Sequence, residues 1–394
     1  MSSSNEYSRF NFYCSVFLAS LGFGMCTYFI PVFAQKFGAT FVDLGIIGTV
    51  WALATAVTPM FAGYLADKTN RAWIFAISLI INTVATVLLV FSHSVVQIVV
   101  FRLFAGFGMG FFWPTAEMLV TDLAHANKRV KEMGRYSIVL ALGPLIGPLI
   151  GGLVIECLGY VVLFSIASVI IGISFIQVVL CVLPAYRKKA VTIVQHSSGN
   201  FRTVRKLSHC YAMLLCYGIV TGVVSSILPG YANAVGISVG YIGFLFSALS
   251  VAKIFSYANS DRYLKFGEKR TLLLASLTMS AGIFIIAVFP SFIAFFFGLI
   301  LIGGSMGAVF PIANSLISRH FPHQLGAAMG SYETVVNFGN AVGPYIAGVL
   351  ASLMSIESSF MMMSVFGVLM ILFATNRRTY SNTSRPVVDC SAAA

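Results

Sequence analysis

Charge is what this sequence has least of. Only 12 of its 394 residues are Asp or Glu and 24 are Lys or Arg, together 9% where a globular domain carries roughly 25%. With 58% of the residues hydrophobic and a mean hydropathy of +0.92, a water-soluble fold is excluded, since it has no way to hide so much apolar surface. Cysteine is also sparse. The seven residues are odd in number and scattered, with no CxxC pair, which argues against a disulfide framework or a zinc site. His320 and His323 in RHFPHQ are separated by a proline and have no carboxylate nearby, so no metal is expected. A G-x-x-x-x-G-K-(S/T) phosphate loop is missing, which excludes ATP hydrolysis of that kind. The G-x-G-x-G of AGFGMG lies inside an apolar run rather than at a strand–helix turn, and it is not read as nucleotide binding. With no nucleophile–base cluster either, neither an enzyme nor a cofactor is expected.

What the chain has in abundance is apolar runs of about 20 residues, each long enough to cross about 30 Å of hydrocarbon as a helix. Twelve helices are expected, at approximately 10–33, 42–65, 73–91, 95–120, 136–156, 160–183, 209–233, 239–258, 271–289, 292–317, 326–351 and 357–375. The first run is too long for a signal-peptide core and is read as a retained helix. Of the 24 Lys and Arg, 21 fall on the side reached after even-numbered helices or on the two tails. Lys36 is on the other side, and Arg102 and Lys253 lie within helices. This asymmetry places both termini and the loop at 184–208 in the cytoplasm of a multi-pass cell-membrane protein. It also assigns the net charge of +12 to topology rather than to nucleic-acid binding. The expected organisation is a six-helix half at 1–183, a cytoplasmic linker at 184–208, a second half at 209–375 and a disordered cytoplasmic tail at 376–394.

The halves repeat with a shift of 194 to 197 residues. MGFFWP, ending at Pro114, returns as MGAVFP, ending at Pro311; MGRYS at 133–137 returns as MGSYE at 329–333; GPLIGG at 147–152 returns as GPYIAG at 343–348. An even-numbered repeat gives both halves the same orientation, about an axis along the membrane normal. At GYLADKTNRA the chain resembles the major facilitator superfamily of secondary transporters, whose motif between helices two and three is G-x-x-x-D-(R/K)-x-G-(R/K)-(R/K). Gly63, Asp67, Lys68 and Arg71 fit it; Asn70 stands where glycine is usual and Ala72 where the last basic residue is. Asn tolerates the left-handed backbone conformation, so the turn is expected to survive. Arg102, Gly106 and Gly108 resemble the family's R-x-x-x-G-x-G on helix four, and Asp122 stands where the family carries an acid facing the loop motif. The resemblance implies a fold of twelve transmembrane helices, all α, in two pseudo-repeats, with Asp67, Arg71 and Asp122 as a cytoplasmic gating cluster.

GPLIGPLIGG at 143–152 resembles the fifth-helix G-P-x-x-G-G motif associated with proton-driven exporters. Gly143, Gly147 and Gly151 are spaced by four and make a groove for a neighbouring helix, while Pro148 and Gly152 complete the motif. Close packing alone is the competing account of these residues.

Ionisable residues within membrane helices are expensive and are functional candidates. On helix four, Arg102, Gly106, Met109, Trp113 and Glu117 share an arc of about 80° at 100° per residue, a candidate substrate wall. Arg102 as a tether to backbone carbonyls and Glu117 as a snorkelling side chain remain the plainer alternatives. Helix eleven carries a polar stripe of Glu333, Asn337 and Asn340 that its first-half copy lacks, which suggests proton coupling or an inter-helix hydrogen-bond ladder. Lys253 is read as snorkelling, and Tyr28, Trp51 and Tyr217 as candidate cavity walls. The expected function is alternating-access export of a small apolar or amphipathic molecule, with protons as the coupling ion, by a monomer in the lipid bilayer. Uptake of a metabolite or organic anion anchored by Arg102 is the alternative in transport, and a non-transporting sensor or scaffold the alternative outside it.

The orientation is directly testable. In a cysteine-free background, Ser197→Cys and Thr40→Cys are expected to react with an impermeant thiol reagent from opposite faces of the membrane. Labelling of both from one face contradicts the twelve-span arrangement.

Overall fold

A computed structural model describes residues 2–124, 129–184, 186, 208–320 and 325–376, and the described residues are helical almost throughout. Apart from Pro184, Tyr186 and Ser208, the expected linker lies outside the described residues, as does the tail beyond Asn376. Helices occupy all twelve expected places. They are α1 (Ser2–Thr27, resuming after Tyr28 as Phe29–Gln35), α2 (Phe41–Lys68), α3 (Arg71–Val90), α4 (Val95–Leu123), α5 (Arg129–Leu158) and α6 (Tyr160–Gln177, running into a π-helical turn at Val178–Val182). The second set is α7 (Ser208–Ser226, then Leu228–Ala234), α8 (Val239–Ala258), α9 (Glu268–Val288), α10 (Phe292–His320), α11 (Leu325–Leu353) and α12 (Ile356–Asn376). A short helix, Ser260–Phe266, joins α8 to α9.

Nine described helices are long and apolar enough to cross a membrane, and the two segments of α7, bent by 42°, make a tenth. α11 has the length, at 29 residues, but its polar stripe dilutes its hydropathy; α12 offers a shorter apolar stretch at Ile356–Leu369. Large apolar side chains such as Leu53, Val96, Leu180 and Phe255 point outward, as they do where the surrounding solvent is hydrocarbon.

Local chemistry sets the helix ends. Thr40 and Asp43 form a reciprocal capping box at the start of α2, and Ser94 accepts from the Gln97 N–H at the start of α4, so otherwise orphaned backbone donors are satisfied. α5 and α6 are separated by Gly159 alone, at φ +86°, a backbone conformation that favours glycine. Prolines 59, 114, 144, 148, 311 and 344 sit inside helices, which a bundle tolerates because neighbours take up the freed carbonyls.

Packing follows the sequence repeat. In the first half α1 lies against α5 and α6, α2 against α4, and α3 against α4 and α6. In the second half the same pairs recur six helices later: α7 with α11 and α12, α8 with α10, and α9 with α10 and α12. The halves meet along two related seams, α5 on α8 and α2 on α11.

Glycine determines how close these helices come. A Cβ on Gly143 would run into Ser20, one on Gly147 would lie 2.5 Å from the Gly24 carbonyl carbon, and one on Gly151 would meet Met25 and Phe29. That face of α5 therefore beds on α1 within the same half. Pro148 and Gly152 serve a different contact, facing Gly243 and Gly240 of α8 across the seam. The second half repeats the division: Gly339 and Gly343 bed on α7, while Pro344 and Gly348 face Gly45 and Phe41 of α2.

A steric test follows. Gly147→Ala is expected to destabilise the protein by about 1–3 kcal/mol through overpacking, lowering the apparent Tm in detergent. Gly304→Ala, with no atom within 4 Å of the added carbon, is expected to leave Tm unchanged or raise it. Equal effects at the two positions would remove the close-packing account.

Candidate functional site

The hydrogen bonds described between the halves run along the seams and toward the end of the bundle away from the basic loops. Thr49 of α2 donates to the Ala341 carbonyl at 2.6 Å, and Ser250 of α8 to the Pro144 carbonyl at 2.8 Å. Near the end itself, Gln35 donates to the Gly230 carbonyl at 3.0 Å and accepts from Asn233 at 2.9 Å. Glu156, near the end of α5, accepts from the Ser238 hydroxyl at 2.6 Å and the Gly240 N–H at 3.0 Å. A carboxylate at the first turn of α8 satisfies an orphan donor and meets the positive end of the helix dipole. The halves are thus fastened together at this end.

Toward the basic end each half carries an exposed carboxylate. Glu117 on α4 and Glu333 on α11 belong to different halves, and both are exposed. Buried Tyr136 of α5 feels the charge of Glu117, and buried Tyr217 of α7 that of Glu333. Tyr257 continues this polar line on α8, with the Lys253 ammonium 5.8 Å from its ring centroid. Trp113, partly exposed, lies one helical turn from Glu117 on α4. Asn340 accepts from the Thr221 hydroxyl at 2.6 Å, tying α11 to α7 as a hydrogen-bond ladder does. Asn337 is half-buried one turn from Glu333.

The α4 face read as one substrate wall divides along its length. Trp113 and Glu117 are exposed. Arg102 is buried inside the first half, its guanidinium 5.1 Å from the Trp51 ring centroid, and Gly106 is pressed against Trp51 and Ala54 of α2. Close packing of α2 on α4 therefore takes up the outer part of that face.

A third constellation sits at the turn between α2 and α3. Arg71 donates to Asp122 at 2.8 Å, and Tyr186 donates to the same carboxylate oxygen, joining α3, the end of α4 and the residues after α6. Burial, reinforced by the hydrogen bond to Asp122 and its charge, holds the Tyr186 phenol above its ordinary value, so the hydroxyl stays protonated and donating. Lys68 turns instead to its neighbour Tyr64, and nothing approaches within 4 Å of a Cβ built on Gly63. The side chain of Asp67 lies outside the described residues. Asn70 corrects the sequence expectation: it is not left-handed but extended, at φ −74° and ψ 120°. Its side chain accepts from the Ala72 N–H at 2.9 Å, making it the N-cap of α3.

Tyr136, Tyr186 and Glu156 escaped the sequence reading. A signal for Tyr136 was available, because MGRYS and MGSYE repeat the tyrosine and both copies, Tyr136 and Tyr332, are buried. Tyr186 and Glu156 carry no such mark, since their partners come from distant segments.

Comparison with known proteins agrees with this architecture. A profile described as Major Facilitator Superfamily matches residues 12–209 and again 210–389. Quinolone resistance protein NorA of Staphylococcus aureus (strain Mu50 / ATCC 700699) is 24% identical over 385 residues, covering 94% of this chain and 97% of that protein. Uncharacterized MFS-type transporter MJ1560 of Methanocaldococcus jannaschii is 22% identical over 371 residues, covering 92% and 96%. Among solved structures, the nucleoside transporter NupG superposes with a TM-score of 0.76 at 12% identity, covering 93% of this chain and 98% of that one. A bacterial homolog of the human lysosomal transporter Spinster, inward-facing and unoccupied, superposes with a TM-score of 0.73 at 16% identity, covering 95% and 97%. These likenesses extend to the whole fold.

Proposed function

We propose that this chain, which belongs to the Major Facilitator Superfamily and is a membrane transporter rather than an enzyme, exports small apolar or amphipathic organic molecules in exchange for protons. The observation that carries the reading is that each half bears an exposed carboxylate, Glu117 on α4 and Glu333 on α11, which in this reading share one opening. Two carboxylates facing one another repel, and one positive charge entering between them relieves the repulsion. A proton and an amphipathic cation compete for that place, and such negative coupling between two ligands is what exchange requires. Trp113 supplies apolar surface beside the charges. The name of the relative at 24% identity, a quinolone resistance protein, supports outward movement of an organic compound. Uptake of an organic anion anchored by Arg102 finds less support, because Arg102 is buried away from the opening.

In this reading Glu333 is the proton-coupling group, held by packing near Asn337, and Glu117 is its counterpart on the other half. In this reading the basic end faces the cytoplasm, as the charge asymmetry favours, and the hydrogen bonds of Gln35, Asn233 and Glu156 hold the outer end together. Gly63, Asp67, Lys68, Arg71 and Asp122 act at the cytoplasmic gate, where Tyr186 extends the cluster. Alternating access then consists of unfastening Gln35, Asn233 and Glu156 at the outer end while the gate residues close the inner one.

Glu333→Gln mimics the protonated carboxyl. Assayed in proteoliposomes with a membrane-permeant cationic dye, it is expected to abolish uphill, proton-driven dye transport to the level of protein-free vesicles. Dye binding to the purified variant is expected to remain largely intact. If Glu333→Gln still concentrates dye against its gradient and Glu117→Gln does not, the coupling group is on α4.

A further inference from the structure

One formal charge in the membrane interior has no answering group among the described residues. Arg102 lies seven residues into α4, about 10 Å along the axis, and is 8% exposed. Its Nε is buried without a hydrogen-bond partner. The described ion pairs use Arg9, Arg71 and Arg135, with Glu132 and Asp122 as their acids. The neighbour recorded for the guanidinium is the Trp51 ring, whose face offers only a weak answer to a full charge. Glu117, the carboxylate on the same helix, is fifteen residues away, about 22 Å along the axis. Arginine does not shed its proton to escape this situation. A buried charge without a counter-charge or hydrogen bonds is strongly unfavourable.

The guanidinium borders a cavity of about 40 Å³ between α1, α2, α3 and α4, whose walls include Cys26, Thr27, Trp51, Asn82 and Thr86. A water needs about 10–15 Å³ of such space, so the cavity has room for about three waters, or for an ion of chloride size with water beside it, but not for a chain as long as gluconate. Several donors of the polar walls are already engaged. Thr27 donates to the Phe23 carbonyl at 2.7 Å, Thr86 to the Asn82 carbonyl at 2.8 Å, and the Asn82 amide to the Ser78 carbonyl at 2.8 Å. Arg102 is the wall donor that carries a formal charge, and its Nε is unpartnered; the species that neutralises it while accepting its N–H is an anion.

We propose that this cavity is a binding site for a small monovalent anion of chloride size, held by Arg102 within the first half. The site is separate from the opening lined by Glu117 and Glu333 and goes beyond the transport reading. The anion supplies the counter-charge that the described residues lack, and so stabilises the packing of α1, α2 and α3 around α4.

The test uses the full-length purified protein in sodium chloride, sodium bromide and sodium gluconate at matched ionic strength. Chloride and bromide are expected to raise the apparent Tm saturably, by about 2–5 °C relative to gluconate, which is too large for the cavity. Radioactive chloride is expected to bind the wild type at about one ion per chain, displaced by bromide and not by gluconate, and Arg102→Gln is expected to lose both effects. The wild-type binding measurement decides the matter even where Arg102→Gln does not fold. Indistinguishable Tm values in the three salts, no measurable chloride binding to the wild type, or undiminished binding to a folded Arg102→Gln would each overturn the proposal.

Discussion

Backbones in direct contact along two related seams determine what this molecule can do. Where α5 meets α8, Gly152 faces Gly240 and the Pro148 carbonyl faces Gly243; where α2 meets α11, Gly45 faces Pro344 and Gly348 faces Phe41. In hydrocarbon there is no hydrophobic drive to hold helices together, so close approach and well-placed hydrogen bonds take its place. Thr49 and Ser250 add one such bond to each seam. Because the seams are copies related by the repeat, they lie on opposite sides of one central axis. Two halves joined by a matched pair of small-residue contacts have a natural fulcrum, with room to separate at one end while closing at the other.

The scarcity of charge makes each ionised group informative. Glu132 is buried at 2% exposure and is held by Tyr13, Arg135 and Arg9. Asp122 is held by Arg71 and Tyr186. These carboxylates are neutralised within the first half. Glu156 is held by the other half, at the end away from the basic loops. Glu117 and Glu333 are exposed on different halves, and the proposed function gives them the exchange of positive charges. Arg102 is the remaining case, a buried cation inside a half rather than between halves.

Much of this was legible in the sequence, because composition and spacing carry information about membrane spans and repeats. Apolar run lengths located all twelve helices, and the repeated GPLIGG and GPYIAG marked the segments that form the seams. The sequence could not divide the roles within those motifs: Gly143, Gly147 and Gly151 bed on α1, while Pro148 and Gly152 reach α8, a partition fixed by helix rotation. The α4 face divides for a similar reason. Angular periodicity aligned Arg102 with Glu117, but close packing of α2 buries the outer part of that face and leaves the inner part open. Asn70 was misjudged because the family's glycine suggested a left-handed turn, whereas an asparagine can cap the next helix from an extended backbone. Tyr186 and Glu156 depend on contacts between segments far apart in the chain, which no local pattern encodes.

The central claim is that the two halves pivot about the glycine–proline seams, opening one end as the other closes. Double electron–electron resonance between spin labels tests it most directly, with one pair at His93 and Ser291 at the outer end and another at Thr69 and Lys265 at the basic end. As pH is changed or a cationic dye is added, the account predicts that the outer distance lengthens while the basic-end distance shortens. Distances that stay fixed under all conditions, or that lengthen and shorten together, would contradict it.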